Sequence, residues 1–263
     1  MPDALNPLDS TRVAYDVTCE GPAIVWLHGS ALSRVPWRGL GYLKALPGYR
    51  HVRLDARGHG RSGKPHDAAS YSPELLVADV LAVMDAEGLE RAAVVGYSLG
   101  ARIGWQLTVT HPGRVAAFVA MGGTHRAQSE AFVEEVFFPG FMAALRTGDI
   151  DAFVAGFGPG LDPNTAAAFR HNDPLALAAL FEATGSGDSG LPDAAVRAVR
   201  TPVLLIAGTA DERRHADNLD EARMLPHGRF VGLPGRGHAG TLASAGDVLD
   251  AMRPFLAESY PPA

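Results

Sequence analysis

Val94-Val95-Gly96-Tyr97-Ser98-Leu99-Gly100 is a short apolar run that turns on G-x-S-x-G and continues into a helical pattern. A serine on a sharp strand-to-helix bend, with its hydroxyl exposed above a sheet, has the form of a nucleophile elbow. The glycines follow from the tightness of the bend. A Cβ at Gly96 or Gly100 would collide with the neighbouring strand and helix, and glycine has none. Ser98 is expected in a strained backbone conformation, which its exposure to a reacting group would justify.

Outward from the elbow, strand and helix alternate. Arg12 to Thr18 is rich in β formers, and Ala23 to Leu27 is a continuous apolar run of the kind found in a buried strand. A helix is expected from Pro36 to Ala45, and a strand from Tyr49 to Leu54. Ser72-Pro73-Glu74 carries an N-cap, a proline at N1 and an acid in the first turn, so a helix starts there and runs to Glu87, stopped by Gly88. Ala92 to Val95 is the strand before the elbow, Ser98 to Thr110 the helix after it, and Val115 to Met121 the next strand. Such alternation implies a mostly parallel sheet with helices on both faces, an α/β fold. Ligands of such sheets lie beyond the carboxyl ends of the strands. His28, Asp55 and Ser98 all fall there.

From Thr124 the texture changes. Residues 124–195 hold helical pieces broken by glycine and proline, with no convincing strand, and carry Phe132, Phe137, Phe138, Phe141, Phe153, Phe157, Phe169 and Phe181. They are expected to form a helical cap over a core made of residues 1–123 and 196–263. Alternation resumes with a strand from Pro202 to Ala207, a helix from Arg214 to Leu225, a strand from Arg229 to Leu233 and a closing helix from Ala243 to Ala257.

Composition narrows the class. The 263 residues are 47% hydrophobic and 20% charged, with a net charge of −6, which fits a globular chain and argues against a nucleic-acid partner. Cys19 is the single cysteine, so neither an internal disulfide nor a Cys/His metal framework is available. With no signal-like N-terminus and no membrane-length apolar run, a cytoplasmic location is expected. Gly156-Phe157-Gly158-Pro159-Gly160 lacks the spacing and the preceding strand of a dinucleotide fingerprint.

A serine hydroxyl is a poor nucleophile until a positioned imidazole takes its proton, and the imidazole needs a carboxylate to hold its tautomer. Both must come from the strand ends that share an edge with Ser98. Asp211 follows the strand ending at Ala207, and His238 follows the strand ending at Leu233. The order Ser98, Asp211, His238 suits this elbow. Glu212 and Asp217 are rival acids, and Asp211 could instead cap a helix. The base is expected to titrate near an ordinary imidazole, at roughly pH 6 to 7. Two backbone N–H groups must also face the developing oxyanion, each worth roughly 3 to 4 kcal/mol. Leu99 and Ser30 are the candidates. His28 is read as a brace for that loop rather than a base.

These residues together resemble the α/β-hydrolase superfamily, in its small, cofactor-free branch with a helical cap, which includes esterases, enol-lactonases, non-haem perhydrolases and carbon–carbon bond hydrolases. The resemblance rests on His28-Gly29, Asp55-Ala56-Arg57-Gly58-His59-Gly60-Arg61-Ser62, the elbow, Gly208 to Asp211 and Gly237-His238. It implies that residues 55–62 form a structural turn, so His59 is not carried over as catalytic. Ser30 stands where relatives often have a bulkier apolar residue, and Ala101 where many have glycine. The implied activity is serine hydrolysis of an ester-like bond in a small to medium, largely apolar molecule, without cofactor or metal. Alternatives are cleavage of a carbon–carbon bond in a diketone-like acid, with Arg34, His125 or Arg126 holding the carboxylate, and a slow-turnover binding protein or cyclase. Trp37, His125, Phe137, Phe138 and Phe141 are the expected substrate contacts.

Overall fold

The computed structural model describes residues 2–186 and 190–262. Its sheet is built from β1 (Asp3–Leu5), β2 (Arg12–Thr18), β3 (Ala23–Leu27), β4 (Arg50–Leu54), β5 (Ala92–Tyr97), β6 (Val115–Met121), β7 (Val203–Gly208) and β8 (Gly228–Leu233). They lie in the order β1-β2-β4-β3-β5-β6-β7-β8. The first two strands run antiparallel to their neighbours and the rest are parallel. The expected α/β architecture is the one observed.

The first helices are α1 (Val35–Gly39), α2 (Pro73–Ala86) and α3 (Leu99–Thr110). Between β6 and β7 come α4 (Glu130–Glu134), α5 (Phe141–Arg146), α6 (Ile150–Ala155), α7 (Pro163–Arg170), α8 (Pro174–Ser186) and α9 (Asp193–Arg197). The chain finishes with α10 (Glu212–Met224), α11 (His238–Ala243) and α12 (Ala245–Ser259).

β3, β5, β6 and β7 are buried at every residue, which explains their unbroken apolar sequences. Alternation survives in where their side chains go. Val25, Leu27, Ala92 and Val94 pack with α2 and α3, whereas Ile24, Trp26, Ala93 and Val95 pack with Trp37 of α1 and with Leu249, Met252 and Phe255 of α12. Each strand thus fills two core layers with period 2.

Residues between β6 and β7 have an apolar cluster of their own around Phe141, Phe153, Phe169 and Phe181. α8 serves both clusters: Leu177, Ala178 and Phe181 face the inserted segment, while Ala179 and Leu180 join the sheet-side core. Among the described residues, this stretch holds no strand beyond an isolated bridge between Arg126 and Gly190.

Differences from the expected elements have local causes. The Pro36 to Ala45 helix stops at Gly39 because Gly41 takes a left-handed φ of 85°. β1 is too short to show a period. His238, which follows β8, opens the short helix α11.

Candidate active site

Register brings the strand ends to one edge. Leu27 pairs with Leu54 and Gly96, Tyr97 with Met121, and Gly208 with Leu233. The residues that follow, among them His28, Asp55, Ser98 and Asp211, therefore emerge together.

Ser98 sits at φ 53°, ψ −111°, outside the regions an L residue prefers. Its N–H donates to the Met121 carbonyl at 2.8 Å, which ties the bend to β6. A Cβ at Gly96 would strike the Gly100 carbonyl, and one at Gly100 the Leu27 carbonyl. The elbow can close only with glycine at both positions.

Ser98 Oγ lies 2.9 Å from His238 Nε2, and His238 Nδ1 lies 2.7 Å from Asp211 Oδ2. With the carboxylate as acceptor, Nδ1 carries the proton and Nε2 accepts from the serine hydroxyl. Asp211 occupies the N-cap position of α10 without capping it. Its second oxygen instead accepts from Arg214 Nη1 at 3.1 Å. Of the rival acids, Glu212 is exposed and Asp217 pairs with Arg126. Burial pushes the Asp211 carboxyl up, but the bond from His238 and the charges of His238 and Arg214 outweigh it and hold the group below the usual carboxylate range. Burial lowers the His238 imidazole and Arg214 adds to the shift; the Asp211 bond and charge oppose it, and the net is below 6.5. That direction is set first by burial and then by Arg214, neither of which is legible in the local sequence.

Ser30 and Leu99 line the same cavity as Ser98. Leu99 is the first residue of α3, so its N–H has no intrahelical acceptor. The loop that carries Ser30 is held by neutral histidines. His28 Nε2 accepts from the Ala56 N–H at 3.0 Å, and His59 Nε2 accepts from the Ala31 N–H at 3.0 Å. Burial lowers both imidazoles, His59 to about 3. Asp55 accepts from the backbone and guanidinium of Arg34 and from the Arg61 N–H. Residues 55–62 thus form a buttress for the loop, and the two ring nitrogens of His59 meet Arg57 and Ala31.

The cavity wall above the serine comes from Val133, Val136, Phe137 and Phe181 of the inserted segment. Three expected contacts are corrected by their packing. Trp37 is buried against Trp26, with ring centroids 4.9 Å apart, in the core layer shared with α12. Phe141 is 1% exposed and stacks on Phe137 from behind. Phe138 turns against Gly156, Phe153 and Phe157 inside the inserted segment. Only Phe137 of that pair faces the cavity.

His125 is the fourth correction. Its Nδ1 lies 2.7 Å from Glu221 and its Nε2 2.9 Å from Asp193. Both ring nitrogens meet carboxylates, an arrangement that favours the doubly protonated ring. Burial lowers it, but these two bonds outweigh burial and raise it above the usual value. His125 ties the end of β6 to α9 and α10. Arg34 and Arg126 are likewise engaged elsewhere, with Asp16 and Asp55, and with Asp217. The cations that do line the cavity are Arg102 and Arg214. Helical spacing was the available signal: Arg102 is four residues after Ser98 and Arg214 three after Asp211. No group of three or more His, Cys, Asp or Glu among the described residues could hold a metal ion. No described helix is long and apolar enough to cross a membrane.

A family model described as alpha/beta hydrolase fold matches residues 22–242. The chain is 30% identical over 255 residues to a protein of Bacillus subtilis (strain 168) named putative 2-succinyl-6-hydroxy-2,4-cyclohexadiene-1-carboxylate synthase, covering 89% of this chain and 91% of that one. Over 102 residues, 39% of this chain and 29% of the other, it is 41% identical to epoxide hydrolase B of Mycobacterium tuberculosis (strain ATCC 25618 / H37Rv). The solved structure of Est816, described as an N-acyl homoserine lactone degrading enzyme, is similar with a TM-score of 0.75 and 27% identity, over 97% of this chain and 100% of that one. The elbow, the strand order and these matches agree, and the chain belongs to the α/β-hydrolase fold family.

Proposed function

We propose that the protein is a serine hydrolase that cleaves an ester-like bond, such as an ester, lactone or thioester, through an acyl-enzyme. The observation that carries this reading is the unbroken chain of contacts from Ser98 Oγ to His238 to Asp211, at 2.9 and 2.7 Å.

His238 Nε2 takes the proton as Ser98 Oγ bonds to the substrate carbonyl carbon. The carbonyl electrons move onto oxygen, where the Ser30 and Leu99 N–H groups hold the charge. When the tetrahedral centre collapses, the bond to the leaving group breaks and His238 hands that group the proton. A water then attacks the acyl-enzyme, again giving its proton to His238, and the acid leaves as Ser98 regains its hydroxyl. Asp211 orients the imidazole throughout. Residues 124–195 act as the cap that excludes water and supplies the apolar wall.

The partial match to an epoxide hydrolase does not favour epoxide chemistry here. A serine oxygen that opened an epoxide would form an ether, which has no carbonyl for water to attack. Ser98 therefore suits carbonyl substrates. The lactone-degrading neighbour is consistent with an ester-like bond. The synthase-named relative, together with two guanidiniums in the cavity, keeps a second reading in view: an acid-bearing substrate from which His238 and Ser98 remove a proton or cleave a carbon–carbon bond.

A p-nitrophenyl butyrate assay tests the proposal. Turnover with acyl-enzyme trapped on Ser98 by rapid quench and mass spectrometry is the expected result. Turnover that persists in Ser98→Ala would contradict it.

A further inference from the structure

Arg214 stands where a catalytic triad needs no cation. Its Nη1 donates to one oxygen of Asp211 while His238 donates to the other. During acyl transfer His238 becomes an imidazolium, and the negative charge of Asp211 stabilises it. A guanidinium on the same carboxylate works against that stabilisation. The Arg214 side chain is only 4% exposed, so water screens it little. It lies over the Phe132 ring of α4, 4.0 Å from the centroid. Its Nε–H is buried with no acceptor among the described residues, a condition native proteins rarely leave without a reason.

The cavity supplies a reason. Arg214 lines it together with Ser98, Arg102 and Gln128, and no carboxylate lines it among the described residues. Arg102 donates to the Arg126 carbonyl, which fixes its guanidinium as part of the wall. The matching ligand group is a carboxylate, since a planar carboxylate fits the edge of a guanidinium with two parallel bonds.

We infer that Arg214 determines specificity by taking the carboxylate of an acid-bearing substrate, whose charge offsets the cation lying against Asp211. Such a substrate is selected in turnover as well as in binding. A neutral substrate leaves the guanidinium uncompensated while the imidazolium forms. This rests on the serine-hydrolase reading above.

The test compares p-nitrophenyl hexanoate with mono(p-nitrophenyl) adipate, which share acyl length and differ in the terminal carboxylate, on the full chain. The wild type is expected to show a kcat at least about tenfold higher for the adipate ester, with a lower KM, as loss of a charge-assisted bond would predict. In Arg214→Gln the kcat gap closes to within roughly twofold, and Arg214→Lys keeps part of it because it keeps the charge without the planar fork. Equal kcat values, a preference confined to KM, or a gap that survives in Arg214→Gln would each overturn the inference. If the glutamine variant fails to fold, Arg214→Lys carries the test, and a kcat gap undiminished in the lysine variant would overturn the inference. Fluorophosphonate labelling of Ser98 separates the two failures. A labelled enzyme that hydrolyses hexanoate without acid preference removes this inference and leaves the hydrolase. An enzyme that is not labelled removes both.

Discussion

Asn172 Nδ2 donates to the Ala31 carbonyl at 2.6 Å, a buried bond from the inserted helical segment to the loop beside Ser30. Ala31 is fully buried with φ at 61°, a left-handed conformation that an alanine adopts only when its surroundings hold it. His59 holds its N–H and Asn172 its carbonyl. The loop is thus clamped by both parts of the chain.

Removing that clamp is expected to act on rate more than on binding. Asn172→Ala should lower kcat by about tenfold or more while KM moves less than about threefold, because a displaced oxyanion donor weakens the transition state. Leaving the Ala31 carbonyl unsatisfied should also cost about 1–3 kcal/mol of stability. Asn172→Asp turns an acceptor toward that carbonyl and should be worse in kcat. Steady-state kinetics with parallel thermal melts check this. A lower melting temperature with unchanged kcat would leave Asn172 a structural residue only.

The acid limb of the rate profile should lie below the usual imidazole value. In the proposed mechanism His238 acts as a base only with Nε2 unprotonated, and burial with Arg214 lowers its pKa below 6.5. For a neutral ester, the acid limb of kcat/KM should have its midpoint below the usual imidazole value of 6.5. Arg214→Gln removes one of the lowering causes and should move the limb upward. A wild-type limb above 6.5, or no upward movement in the variant, would contradict this account of the base.

His125 predicts a pH dependence of opposite kind, in stability. Its pKa is raised in the fold by Glu221 and Asp193, against burial, so its contribution is complete below the unfolded value of 6.5 and is lost as pH rises through the folded value. The melting-temperature difference between wild type and His125→Gln should be larger at roughly pH 6 than at roughly pH 9, on either side of an ordinary histidine. A difference that grows with pH would show that the ring is held neutral.

Phe137 and Phe141 should behave differently although their rings stack 5.3 Å apart. Phe137 lines the cavity, so Phe137→Ala should change the ranking of acyl chain lengths, at about 1.5–3 kcal/mol of apolar binding. Phe141 is buried behind it, so Phe141→Ala should cost about 3–5 kcal/mol of stability. A chain-length screen and a melt on each variant distinguish them; exchanged outcomes would mean that the cavity wall is misplaced.

The strands and the elbow were legible because their signals are local. A buried parallel strand must be continuously apolar, as at Val94-Val95, and the bend at Ser98 requires Gly96 and Gly100 for reasons of contact alone. Asp211 and His238 were legible because parallel topology brings strand ends to one edge. What escaped depends on side chains that meet across the chain. Trp37 in α1 and His125 just past the end of β6 are taken into the interior by packing against Trp26 and ion pairing with Glu221. Phe137 and Phe138 lie between α4 and α5 and Phe141 opens α5, and the facing positions of Gly156 and Phe181 decide which ring reaches the cavity. Arg214 reads in the sequence as an ordinary helix start, because its importance lies in contact with Asp211 and not in any motif.

The central claim is that Ser98 is the nucleophile. A fluorophosphonate should label the chain once, at Ser98, identified by peptide mass spectrometry. Ser98→Ala should lose both the label and about 10⁴–10⁶ of kcat on p-nitrophenyl esters. A label on another residue, or one that persists in Ser98→Ala, would contradict the account.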